Sequence, residues 1–152
     1  MKIQNRPSKV QYYLDVAEQV ATRSTCLVSK YGCVIVKNDA VIATGYNGSP
    51  RGVLNCSDTG VCIRDCEGTR RYNSCRAVHS EANALLHASY NDLIDSTMYI
   101  SRYDSSDASN ERVEPCLNCK RLILNSQIHT VFCKQNNDEI IEFNPKNWVS
   151  LV

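Results

Sequence analysis

A chain of 152 residues with a formal net charge of +1 and a pI near 7.5 has room for one domain, spanning 1–152, that buries about two thirds of the surface its unfolded form exposes. The near-neutral balance argues against nucleic acid or an anionic membrane as partner, and no apolar run approaches a span of about 18 residues or a secretory leader, so the expectation is a cytoplasmic protein with a small substrate. Nine cysteines are many for ordinary core residues and an awkward odd number for a closed disulfide framework, which leaves metal ligation as the better account of them.

Residues 8 to about 23 read as a first helix, with Ser8 as N-cap after Pro7 and Val10, Leu14, Ala17 and Ala21 as an apolar stripe that should pack on a sheet. Residues 32–37, the turn Asn38-Asp39 and residues 40–44 read as a hairpin of two largely buried strands, with Cys33 in the core. Gly45-Tyr46-Asn47-Gly48-Ser49-Pro50-Arg51-Gly52 follows and has the composition of a loop. Residues 53–75 are polar and irregular but hold Cys56, Cys62, Cys66 and Cys75. So long a structureless stretch calls for a staple, and a second metal would serve.

The next segment, Cys75-Arg76-Ala77-Val78-His79-Ser80-Glu81-Ala82-Asn83-Ala84-Leu85-Leu86, places His79 at a helix start, with Ala82, Leu85, Leu86 and Ser89 at helical spacing as its core face. Residues 97–101 read as a strand and 103–112 as a polar loop or hairpin tip. Glu114-Pro115-Cys116-Leu117-Asn118-Cys119 then opens a helix that ends near Asn125. Residues 130–133, with Cys133 in the core, and 140–143 are two strands joined through the turn Asn136-Asn137-Asp138 and too close together for an intervening helix, so they should pair antiparallel. The whole reads as an α/β sandwich with about five strands.

One imidazole and two thiolates make a tetrahedral zinc set with its fourth position open, the arrangement of a catalytic site. Residues three apart share a face of a helix's first turn, Pro115 suits the helix entry, and the positive helix end lowers the thiol pKa values. Glu81 lies beside the metal position without being needed as a ligand, and such a carboxylate can take a proton from the attacking water and pass it to a substrate nitrogen. The competing readings are a structural zinc clip or a redox Cys-x-x-Cys; a structural zinc wants a fourth protein ligand and has no use for Glu81. His87 and His129 lack ligand spacing to the cysteines, Arg70-Arg71 and Lys120-Arg121 read as solvated surface, and Trp148 reads as an anchor for the last segment.

On these residues the chain resembles the cytidine deaminase superfamily and, within it, the deoxycytidylate (dCMP) deaminases. The resemblance runs from about residue 8 to residue 133 and is carried by Arg23-Ser24-Thr25-Cys26, the Gly45 to Gly52 loop, the Cys75 to Leu86 segment and Pro115 to Cys119. It implies a three-layer α/β/α sandwich with a mixed sheet of about five strands. The implied reaction is hydrolysis of dCMP to dUMP and ammonia for thymidylate synthesis, with His79, Cys116 and Cys119 holding zinc. Attack would fall on C4 of cytosine while Glu81 protonates N3 and then the leaving amine.

Asn47 resembles the family's sugar-binding asparagine, and Arg23, next to Ser24, is the best sequence candidate for the 5′-phosphate. The likeness further implies a structural zinc on Cys26, Cys56, Cys75 and Cys62, with Cys66 competing with Cys62 for the last place. It implies a homohexamer activated by dCTP and inhibited by dTTP with Mg²⁺ through Gly45, Tyr46, Asn47 and Gly48. Two departures stand out: a long 102–113 connection and a short chain after Cys133, without the usual last helix before a parallel strand. They leave effector control and oligomer open, and they make a bifunctional dCMP/dCTP deaminase the alternative. A nucleic-acid-editing enzyme is the remoter one, since it should carry a basic stripe or an aromatic stacking platform.

Overall fold

Ser8 starts the first helix as its side chain allows: in the computed structural model, which describes residues 5–66, 75–103 and 111–152 (the side chains of Asp65 and Cys66 excepted), its Oγ accepts from the Gln11 amide at 3.1 Å. Helix α1, Lys9–Ala21, buries Tyr13, Leu14, Ala17 and Ala21, three members of the predicted stripe and the flanking tyrosine. Strands β1, Lys30–Lys37, and β2, Ala40–Tyr46, pair antiparallel. Asn38 and Asp39, at φ 49° and 61°, form the two-residue turn, where short polar side chains tolerate positive φ. Tyr13 donates its hydroxyl proton to Asp39, 2.9 Å from both its carbonyl and its carboxylate oxygen, and Lys9 pairs with the same carboxylate. Helix and hairpin are thereby pinned together.

After the short helices α2, Cys56–Thr59, and α3, Ile63–Cys66, come α4, Ser80–His87, α5, Tyr90–Leu93, and β3, Thr97–Tyr103. Helix α6, Leu117–Asn125, then leads into β4, Thr130–Lys134, and β5, Ile140–Phe143, and a 3₁₀ helix, Pro145–Trp148, follows. Five strands among the described residues form one mixed sheet in the order β2-β1-β3-β4-β5, parallel only between β3 and β4. The α6 crossover is what lets those two run parallel.

Alternation along β1 sorts the core into two layers. Val34 and Val36 face Tyr13, Leu14 and Ala17 of α1 together with Tyr99. Cys33 and Ile35 face the other way, toward Ala84 of α4, Ile123 of α6, Met98, Ile100, Val131 and Cys133. Helices therefore cover both faces, giving the expected three layers, and Cys33 and Cys133 are core residues as read. Gly32 lets α1 seat: a Cβ there would lie 1.9 Å from the Ala17 carbonyl oxygen.

Several local expectations change. Strand β2 is half-buried, with Val41 44 % exposed, because it is the sheet's edge. Gly45 and Tyr46 belong to β2 and not to a loop, since they continue the ladder against Cys33 and Gly32. The α4 core face is Ser80, Glu81 and Ala84, while Leu86 is 77 % exposed: the helix turns its polar first-turn residues inward, which an apolar count cannot foresee. The described part of 53–75 is broken by two one-turn helices, and most of the 103–112 loop lies outside the described residues.

Candidate active site

Two helix starts meet at the centre of the site. His79 is the N-cap residue of α4 (φ −70°, ψ 153°) and Cys116 that of α6 (φ −67°, ψ 168°). His79 is held from behind: Val78 and Gly48 exchange backbone hydrogen bonds of 2.8 and 3.2 Å, which ties the segment after β2 to the histidine. Gly45 sets the depth of α4, because a Cβ there would lie 2.3 Å from the Ala84 nitrogen and 2.4 Å from the Ser80 carbonyl oxygen. Asn83 Nδ2 donates to the Tyr46 carbonyl at 2.8 Å and His87 Nδ1 lies 2.7 Å from that of Thr44. The polar face of α4 thus engages the outer carbonyls of the edge strand.

His79 Nδ1 lies 3.5 Å from Cys116 Sγ and 3.5 Å from Cys119 Sγ. A tetrahedral zinc with ordinary Zn–N and Zn–S bonds separates a nitrogen and a sulfur ligand by about 3.6 Å, so the donor set has both the chemistry and the spacing for that ion. Among the described residues these three are the one group of His, Cys, Asp or Glu drawn together tightly enough for a metal. Cys119 is buried, whereas His79 and Cys116 are exposed, so the cluster is reachable from solvent.

The electrostatics follow from that proximity. Cys116 accepts hydrogen bonds from Cys119 first and His79 second, which pull its pKa down to about 3. The proton the two thiols share stays on Cys119, whose pKa is raised by that bond and by burial. His79 is raised by its bond to Cys116. Glu81, 7 % exposed in the first turn of α4, has its pKa raised by burial, with Ser80 Oγ donating to its Oε2 at 2.9 Å. A buried carboxyl next to the Cys116 thiolate, the Cys119 thiol and an imidazole can hold or release a proton without leaving its place.

The other expected residues are placed less uniformly. Asn47, 8 % exposed, has its Oδ1 accepting from Ser24 Oγ at 2.6 Å and the Tyr31 amide at 2.8 Å, while Nδ2 donates to the Ser29 carbonyl at 2.8 Å. Ser24 is buried and spends its hydroxyl proton on Asn47. Arg23 is exposed. No three of Cys26, Cys56, Cys62 and Cys75, all half-buried, bring their sulfurs together in the described structure, and the Cys66 side chain lies outside it. Ser57 does donate to the Thr25 carbonyl at 3.2 Å, which puts the backbone around Cys56 beside that around Cys26. Sequence reasoning missed Ser80 as the partner of Glu81 and missed the Gly48–Val78 bridge; a serine and a valine flanking a histidine carry no signal of either.

The sequence of residues 7–135 matches the family model of the cytidine and deoxycytidylate deaminase zinc-binding region, and the chain belongs to that family. It is 41% identical over 135 residues to the deoxycytidylate deaminase of Mycobacterium phage D29, an alignment covering 84% of this chain and 94% of that protein. It is 37% identical over 133 residues to the deoxycytidylate deaminase of Saccharomyces cerevisiae, covering 86% of this chain but 39% of the longer yeast protein. The crystal structure of dCMP deaminase from cyanophage S-TIM5 superposes with a TM-score of 0.62 at 23% identity over 85% of this chain and 84% of that one, a likeness of fold.

Proposed function

We propose that this protein hydrolyses dCMP to dUMP and ammonia, supplying dUMP for thymidylate synthesis. The observation that carries the reading is the His79 nitrogen 3.5 Å from both cysteine sulfurs, with the buried carboxyl of Glu81 two residues along. The 41% identity with the phage D29 deoxycytidylate deaminase, over an alignment that covers 94% of that protein, supports the choice of nucleotide. His79, Cys116 and Cys119 hold a zinc ion, which when bound supplies Lewis acidity toward the attacking water. Glu81 takes one proton from that water and delivers it to N3 of cytosine. It then carries the second to the amine that departs from C4, so that the water oxygen replaces the amine nitrogen.

Asn47 has one Nδ2 hydrogen beyond that given to Ser29, and this is the donor we assign to a deoxyribose hydroxyl, with Ser24 fixing the amide's orientation. Arg23, exposed and charged, is the candidate for the 5′-phosphate. Control by dCTP and dTTP with Mg²⁺ through Gly45, Tyr46, Asn47 and Gly48, a homohexamer, a cytoplasmic location and a structural zinc on Cys26, Cys56, Cys75 and either Cys62 or Cys66 complete the proposal. The Val78–Gly48 bridge supports the first, because a ligand that moved Gly48 would pull on His79. A steady-state assay of the zinc-loaded protein on dCMP, dCTP, deoxycytidine and CMP, with dTTP and dCTP as effectors, tests it. Preference for dCMP with inhibition by dTTP is expected; no turnover of any of the four would contradict it.

A further inference from the structure

Glu114 divides its carboxylate between two cations: Oε1 takes Lys120 Nζ at 2.7 Å and Oε2 takes Arg112 Nε at 3.4 Å. Each cation lies over an aromatic ring, Arg112 over Phe143 at 5.2 Å and Lys120 over Trp148 at 5.4 Å. The two rings meet at 5.9 Å, tilted by 49°. Five side chains from the approach to α6, from α6, from β5 and from the 3₁₀ helix therefore close a ring. Behind it, the Gln135 side-chain amide pairs with both the nitrogen and the oxygen of Val113, at 2.8 and 2.9 Å.

Glu114 stands two residues before Cys116, and Lys120 directly follows Cys119. Their ion pair spans both thiol ligands, and the Lys120 amide donates to the Cys116 carbonyl at 2.9 Å inside the span. Helix α6 starts without a side-chain cap, so the turn that presents the sulfurs must be held from outside. The Lys120 side chain is 9 % exposed and Trp148 is 4 % exposed. A charge so placed costs desolvation that an apolar side chain of the same length would not, and its return is a fixed geometry. Phe143 and Trp148 lie beyond residue 135, where the match to the family region ends.

We propose that Glu114 and Lys120, seated on Phe143 through Arg112 and directly on Trp148 through Lys120, are positioning residues that hold the Pro115 to Cys119 turn in metal-binding geometry, so that the C-terminal segment braces the metal centre. The proposal rests on the reading of His79, Cys116 and Cys119 as metal ligands. Zinc release from the loaded full-length protein into excess chromophoric chelator tests it, with Lys120→Met, Trp148→Leu, the double variant, and Leu14→Ala as a core control on the opposite face of the sheet. Both single variants should release zinc about 10- to 100-fold faster, as removal of outer-shell support does, and shift the absorption bands of the cobalt-substituted protein. The double variant should be no worse than the faster single.

Leu14→Ala should lose stability while releasing zinc at the parent rate. Equal release rates in parent and Lys120→Met would overturn the proposal, and so would a Leu14→Ala variant that releases zinc as fast as the brace variants. Lys120→Met carries the test alone if Trp148→Leu fails to fold. A parent protein that takes up no zinc would instead overturn the metal reading, and this proposal with it.

Discussion

Glu81 combines burial with a charge-bearing group inside the first turn of a helix, and that combination has a measurable cost. Its folded pKa is raised above 4.5, chiefly by desolvation. The sign follows from linkage: the carboxyl is accommodated below about its unfolded pKa, and stability is lost as pH rises through the higher folded value. Glu81→Gln removes a group that must otherwise ionise in a buried site. In the zinc-free protein, the variant should therefore gain stability over the parent as pH rises from 4.5 to 8. Urea unfolding at several pH values checks this; a stability difference that stays constant or shrinks over that window would contradict it.

The elements that matter most are α4 and the strand end it rests on. Gly45 was legible only as a turn residue, since Gly-Tyr-Asn-Gly has loop composition. What makes it necessary is the approach of α4, a contact between segments far apart in sequence. Gly45→Ala should force α4 away from β2, costing about 1–3 kcal/mol by overpacking and loosening zinc through His79 at the helix start. Unfolding and metal-retention measurements on the variant would refute this if both matched the parent. Periodicity failed on α4 for a related reason: Ser80 and Glu81, polar residues beside the His79 cluster, face inward, whereas Leu86 faces out. Where the core alone decides, as along α1 and β1, the helical stripe and the buried apolar run read correctly.

Across the whole molecule, the sheet and its two helical layers bring together segments separated by 37 and 40 residues, His79 with Cys116 and Cys119. The clustering of His79, Cys116 and Cys119 was legible because metal chemistry restricts residue type and short-range spacing. The Ser8 N-cap, the hairpin turn and the five strands were legible from local rules. Tertiary partners were not: Ser24 with Asn47, Gly48 with Val78, and Lys120 with Glu114 and Trp148 depend on how the layers stack, and none leaves a local pattern.

Everything functional in this account depends on one division of labour, with three residues holding a metal and Glu81 moving protons without holding it. Turnover of dCMP and zinc content, measured on the same preparation of Glu81→Gln, test that division most directly. The zinc content of Glu81→Gln should equal that of the parent, with turnover reduced by about 10²–10⁴-fold, the usual span for losing a general acid–base. Turnover near the parent value with zinc retained, or zinc lost together with activity, would contradict it.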